Sequence, residues 1–164
     1  MIEDQITLRD ATPEDMPFLG RLYCNSRQQE VESWGWPAQQ QEAFLRMQFE
    51  AQHRSYRAAF PDATHNIICK ENAPIGRILV NREPVALHLV DIALLAEHRN
   101  CGIGSELLRR MQQACEVQSL TLRLQVLQGN PAIRLYRRLG FVLSSADQIY
   151  VDMDWVPAQV QERF

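Results

Sequence analysis

Apolar and polar residues alternate over residues 6–9 (ITLR), the period of a half-buried strand, and the chain then changes to a helical rhythm. Thr12-Pro13-Glu14-Asp15 has the form of a helix start, with a capping hydroxyl, proline at the first helical position and acids in the first turn. Pro17 lacks the N–H that a closed first turn requires, so the start is expected to slip or kink there. Leu19, Leu22 and Tyr23 carry the apolar side onward until Trp34-Gly35-Trp36-Pro37 interrupts it. Residues 39–60 resume the helix with strong helix formers and Phe44, Met47, Ala51 and Phe60 as apolar positions, and Pro61-Asp62 stops it. The two helices and their aromatic joint read either as a substrate lid or as a helical hairpin with Trp34 and Trp36 as packing.

From residue 65 the pattern is that of strands. Residues 65–70 (HNIICK) form one, Glu71-Asn72-Ala73-Pro74 a turn, and residues 75–81 (IGRILVN) the next. Residues 82–84 make a second tight connection and residues 85–95 a further strand, so this half of the sheet is an antiparallel meander. A glycine-bearing turn then opens a helix at Ile103 or Gly104. Ile103, Leu107, Leu108, Met111, Ala114 and Cys115 share one face of it, and Glu106, Arg109, Arg110, Gln113 and Glu116 lie opposite. The chain returns through the strict alternation of residues 121–127 (TLRLQVL), a strand–helix–strand unit whose two strands should be parallel. Asn130-Pro131 starts another helix ending at Gly140, with Ala132, Leu135, Tyr136 and Leu139 as its inner stripe and Arg134, Arg137 and Arg138 outside. Residues 141–144 and 148–155 form a final strand pair, and residues 156–164 carry no pattern that assigns them. The expected fold is a single mixed α/β domain over residues 1–164. Its central sheet has six or seven strands, antiparallel at first and with one parallel pair, and about four helices accompany it.

A chain of 164 residues suits one domain with a substantial core. A net charge of -3 gives no footprint for nucleic acid or an anionic membrane, so neither is expected as a partner. Cys24, Cys69, Cys101 and Cys115 have no CxxC spacing and read as reduced thiols, and the four histidines have no ligand spacing with them, so no metal is expected. The acidic residues 1–4 do not resemble a signal peptide, and no apolar run approaches a membrane span, which points to the cytoplasm.

The glycine turn is where chemistry is expected. In Arg99-Asn100-Cys101-Gly102-Ile103-Gly104, residues without Cβ let backbone N–H groups approach a ligand, and the positive end of the next helix faces the turn, an arrangement suited to phosphate. A dinucleotide-binding reading fails because Leu107 occupies the third glycine position and Gln128 the place of the ribose-binding acid, and no GK[ST] is present for a Walker loop. The pattern Arg99-x-x-Gly102-x-Gly104 after an apolar strand resembles the acetyl-CoA pyrophosphate loop of the GNAT family of N-acetyltransferases. Asn130-Pro131-Ala132-Ile133-Arg134-Leu135-Tyr136-Arg137-Arg138-Leu139-Gly140-Phe141 resembles that family's second signature. The order of strands and helices from residue 6 to residue 155 is similar to the family's fold, so the resemblance covers nearly the whole chain.

The resemblance implies acetyl transfer from acetyl-CoA to a primary amine by direct attack in a ternary complex. It assigns the pyrophosphate to the backbone of Cys101, Gly102, Ile103, Gly104 and Ser105, with Arg99 flanking it and Asn100 standing where relatives often have glycine. The pantetheine arm falls to Ile92, Ala93 and Leu94 on a strand that splays from its parallel neighbour, and to Asn130, Ala132 and Tyr136. Asn130 serves equally as a helix cap. Tyr136 is implied as the general acid that protonates the departing thiolate, and strand N–H groups would polarise the carbonyl. The glutamate that relatives place on the central strand falls at Ala86, so the base stays open among Asp91, His88 and Glu83, with a base-free route as well. Tyr23, Arg27, Glu30 and Trp34, with Trp36, are the implied walls of the acceptor site. The acceptor itself is open, a small-molecule amine or a peptide or protein amine. A non-catalytic acyl-CoA sensor and a transferase for a longer acyl-CoA are the rival readings, and strand edges near the C-terminus make a homodimer conceivable.

Overall fold

The computed structural model describes residues 5–163. The acidic residues 1–4 and the final Phe164 lie outside the described residues. Seven strands, β1 (Ile6–Asp10), β2 (Thr64–Lys70), β3 (Ala73–Arg82), β4 (Ala86–Leu94), β5 (Thr121–Leu127), β6 (Val142–Ala146) and β7 (Tyr150–Trp155), belong to one sheet in the order β1-β2-β3-β4-β5-β7-β6. The helices are α1 (Met16–Glu32), α2 (Ala38–Ala59), α3 (Ile103–Gln118), α4 (Ala132–Arg138) and a single turn, α5 (Ala158–Gln161), in the stretch that carried no sequence pattern.

Local rules account for most boundaries. The start expected at Thr12 does slip. Pro13–Asp15 forms a 3-10 turn, and α1 begins at Met16, which puts Pro17 in the first turn where its missing N–H costs nothing. Asp15 secures the slipped start, accepting the Thr12 N–H at 2.8 Å and both terminal nitrogens of Arg9 at 2.8 and 2.9 Å. The β2–β3 turn is shorter than the four residues expected. Glu71 and Asn72 alone make it, both with positive φ (52° and 68°), the mirror-image turn whose twist matches a hairpin, and Ala73 and Pro74 join the strand. In α2 the buried pair is Leu45 and Phe49, while Met47 is 55% exposed and faces solvent. In α4 only Tyr136 of the expected stripe is buried.

The sheet is antiparallel where β1 meets β2 and where β7 meets β5 and β6. Bonds from Leu95 to Ile75 and from Glu83 to Ala86 run in opposed order along β3 and β4, which makes that pair antiparallel too. β4 and β5 are parallel, as the strand–helix–strand reading requires, and their ladder runs from Ala86 with Thr121 to Leu89 with Leu124. β4 continues to Leu94 and β5 to Leu127 beyond that last pair.

The chain divides into two compact units. The first takes the chain up to Ile78 together with Ile92–Arg99, and its core is Phe18, Leu19, Leu22, Phe49, Ile67 and Cys69, with Ala93 and Leu95 packed against it. The second comprises Leu79–Asp91 and the chain from Asn100 onward. There α3 turns Ile103, Leu107, Leu108, Met111 and Cys115 inward, and β5 buries Leu122, Leu124 and Val126. Among the described residues all four cysteines are free thiols, and no helix is long and apolar enough to cross a membrane.

Candidate functional site

The glycine turn has the backbone its residues suggest. Asn100 (φ 58°) and Gly102 (φ 84°) both lie in the left-handed region, which asparagine tolerates best after glycine. Gly102 caps α3 with its carbonyl, accepting the first helical bond from the Glu106 N–H at 3.0 Å. The N–H groups of Ile103, Gly104 and Ser105 precede that bond, and no side chain caps the helix. A Cβ built on Gly104 would meet no atom within 4 Å, so the space over the turn is open. Cys101 is exposed at its rim.

Arg99 is held in place within the first unit. Its Nε donates to the Leu94 carbonyl at 2.9 Å and a terminal nitrogen to Asn25 Oδ1 at 3.3 Å. Asn25 also accepts the Ala96 N–H at 2.9 Å, so one amide on α1 braces the approach to the turn. Ile92, Ala93 and Leu94 are the last residues of β4 and are half-buried. Gly76 on β3 lies so close that a Cβ there would run into the Ala93 carbonyl oxygen. Neither Asn25 nor Gly76 was marked by sequence reasoning. A lone glycine within a strand was the one available signal, since it often marks close backbone approach.

In the second unit, Tyr136 sits on α4, 8% exposed, with its ring 5.8 Å from that of Phe141. Burial raises its pKa, and the Asp91 carboxylate raises it further, so the phenol keeps its proton. These two candidates are therefore brought within electrostatic reach of each other. Asn130 acts as the cap, accepting the Ala132 N–H at 2.9 Å. Ala86, where the resemblance led a glutamate to be expected, is fully buried.

His88 occupies a different setting. It opposes Arg123 across β4 and β5, Arg123 opposes Asp154 across β5 and β7, and Gln125 opposes Asp152. Cross-strand partners share a face, and these side chains, with Glu83, line a cavity of about 430 Å³. Glu83 Oε1 lies 3.7 Å from His88 Nδ1, and Arg123 is shared between Glu83 (3.4 Å) and Asp154 (3.6 Å). Gln125 and Ser145 donate to the two oxygens of Asp152. Burial lowers the His88 pKa and Arg123 lowers it further, against the opposing pull of Glu83 and Asp152, so the imidazole is neutral at pH 7. Arg123, Gln125, Asp152 and Asp154 were not foreseen, although the alternation Tyr150-Val151-Asp152-Met153-Asp154 already set both carboxylates on one strand face.

The expected acceptor-wall residues gather within the first unit. Arg27 donates to the Tyr23 hydroxyl at 3.0 Å and makes a two-point pair with Glu30 at 3.0 and 3.1 Å. Trp34, Trp36 and Phe44 pack on one another with ring centroids 5.1 to 5.5 Å apart, and the Arg27 guanidinium lies 5.7 Å from the Phe44 ring. Arg27 matches the charge of Glu30, so this cluster offers aromatic surface rather than net acidity.

Residues 26–141 match the model of a family described as the acetyltransferase (GNAT) family. A stretch of 58 residues is 38% identical to an N-alpha-acetyltransferase of Sulfurisphaera tokodaii, and it spans 33% of this chain and 34% of that protein, about a third of each. The fold is shared with the PaiA N-acetyltransferase of Thermoplasma acidophilum, solved in complex with coenzyme A, at a TM-score of 0.69 and 18% identity over 92% of this chain and 98% of that one. An acetyltransferase of Thermus thermophilus gives a TM-score of 0.67 and 18% identity over 93% and 97%. Ard1 of Thermoplasma volcanium gives 0.62 and 18% over 93% and 98%.

Proposed function

The chain belongs to the acetyltransferase (GNAT) family, and from that premise we propose that it moves an acetyl group from acetyl-CoA to a primary amine by direct attack in a ternary complex. The observation that carries the reading is the turn before α3: two left-handed residues, an uncapped helix N-terminus and open space over Gly104. Such a turn binds a pyrophosphate through aligned N–H groups and the helix dipole. Its N–H groups from Cys101 to Ser105 hold the donor. Ile92, Ala93 and Leu94 offer backbone groups to the pantetheine arm, alongside Asn130 and Ala132.

The acceptor enters as an ammonium and must lose one proton before attack. His88, neutral and beside Glu83, accepts it; Asp91 is the second candidate for that role. The amine nitrogen then bonds to the thioester carbon, the carbon–sulfur bond breaks, and Tyr136, whose proton is retained by burial and by Asp91, donates it to the departing sulfur; the nitrogen sheds its remaining extra proton, which restores the phenol by way of solvent. Tyr23, Arg27, Glu30 and Trp34 contribute an aromatic wall for the acceptor. The buried alanine at position 86 favours a second reading, an acyl-CoA sensor that transfers nothing. Incubation with acetyl-CoA and a panel of amines, following release of free thiol, separates the two. Amine-dependent thiol release supports the transferase, and cofactor binding without release for any amine supports the sensor.

A further inference from the structure

The cavity lined by β4, β5 and β7 in the second unit narrows the acceptor, on the footing of the transferase reading. We infer that it holds the second, non-reacting ammonium of an aliphatic diamine or polyamine. Three carboxylates, Glu83, Asp152 and Asp154, face it, and Arg123 is the one guanidinium among the described lining residues. With His88 neutral, the lining carries two uncompensated negative charges. Glu83 and Asp154 share Arg123, while Asp152 has only the neutral donors Gln125 and Ser145 on its oxygens. A cation entering the cavity matches that charge. An anionic acceptor is repelled, and a monoamine leaves part of the charge unmatched.

The form of the site favours an organic cation over a metal ion. Among the described residues no group of three or more His, Cys, Asp or Glu converges as metal ligands would. The carboxylates are instead spread along a cavity whose roughly 430 Å³ is of small-molecule size. Its place in the sheet fits the transfer step. The row His88–Arg123–Asp154 adjoins the last pair of the β4–β5 ladder, and Gln125 with Asp152 forms the row just past it. The family resemblance assigns the pantetheine arm to β4 past the end of that ladder. One ammonium loses two protons, one to the base before attack and one that replaces the proton Tyr136 gives to sulfur, and forms the amide bond; CoA leaves as the free thiol, and the other ammonium stays charged against Asp152 and Asp154.

The test uses the full chain with acetyl-CoA and three probes: 1,4-diaminobutane, spermidine and n-butylamine. The expected result is a kcat/KM for the diamine and for spermidine at least about ten-fold above that for butylamine, with a preference that shrinks about ten-fold in Asp152→Asn, the loss of one charge-assisted contact. Asp154→Asn should reduce the same preference, which keeps the test open if one variant folds poorly. Both variants should keep the thermal shift with acetyl-CoA, since neither residue belongs to the turn. Equal use of butylamine and the diamine, or a preference unmoved by both substitutions, overturns the inference while the transferase stands. No thermal shift with acetyl-CoA and no acetylation of any amine removes the transferase reading, and the inference with it.

Discussion

Tyr136 is buried and His88 half-buried, and their surroundings push these two titratable groups toward opposite tasks. Burial and Asp91 hold the Tyr136 proton, so the phenol is a proton donor at pH 7. Tyr136→Phe should lower turnover about a hundred-fold, within the usual worth of a general acid, and leave the thermal shift with acetyl-CoA intact. Steady-state rates beside the melting curve decide it, and full turnover would exclude Tyr136 from proton transfer. His88 has a folded-state pKa below its ordinary 6.5, so the unfolded chain takes up the proton first as the pH falls. Its contribution to stability is complete above pH 6.5 and is lost as the pH drops through 6.5 toward the folded value. His88→Gln should therefore show a shallower fall in melting temperature from about pH 7 to about pH 5 than the wild-type chain, and identical slopes would mean that the imidazole titrates normally.

At the scale of elements, two glycines have different tasks. Gly104 stands in the first turn of α3 with nothing within 4 Å of a built Cβ, so a larger residue has room in the protein itself. Gly104→Val should melt within about 0.5 kcal/mol of the wild-type chain yet lose acetyl-CoA binding, because its side chain fills the space proposed for the pyrophosphate. Tight binding by the folded variant, measured calorimetrically, would mean that the turn serves something else. Gly76 on β3 abuts the Ala93 carbonyl of β4, where backbone rather than a mobile side chain must move. Gly76→Ala should destabilise by about 1–3 kcal/mol, the usual cost of overpacking, and raise the KM for acetyl-CoA by shifting the strand segment offered to pantetheine. Denaturant midpoints and donor saturation curves check the two effects separately.

For the whole molecule, binding is best read as a change in stability. Acetyl-CoA at about 100 times its dissociation constant should add roughly 2.7 kcal/mol, a rise of about 5–10 °C for a chain of this length. Free CoA should act similarly and NAD should not, and a protein that ignores all three would leave only a shared fold. The net charge of -3 is ordinary for the chain as a whole, but two negative charges lie uncompensated in one cavity. Charge distribution, rather than total charge, is what bears on the acceptor.

Periodicity alone was enough for the parts whose causes are local. The alternation of residues 121–127, the apolar stripe of α3 and the positive φ values invited by Asn100 and Gly102 all follow from neighbours a few residues apart. The family motif rests on those same short stretches. The carboxylate-lined cavity was not legible, because alternation states that Asp152 and Asp154 share a strand face but not which strand lies beside it. Only the insertion of β7 between β5 and β6 sets Asp154 against Arg123 and Asp152 against Gln125. Likewise Gly76 carried no sign of its neighbour until the pairing of β3 with β4 set it against the Ala93 carbonyl. Such pairings are long-range choices among many sterically allowed partners, and tertiary packing makes them.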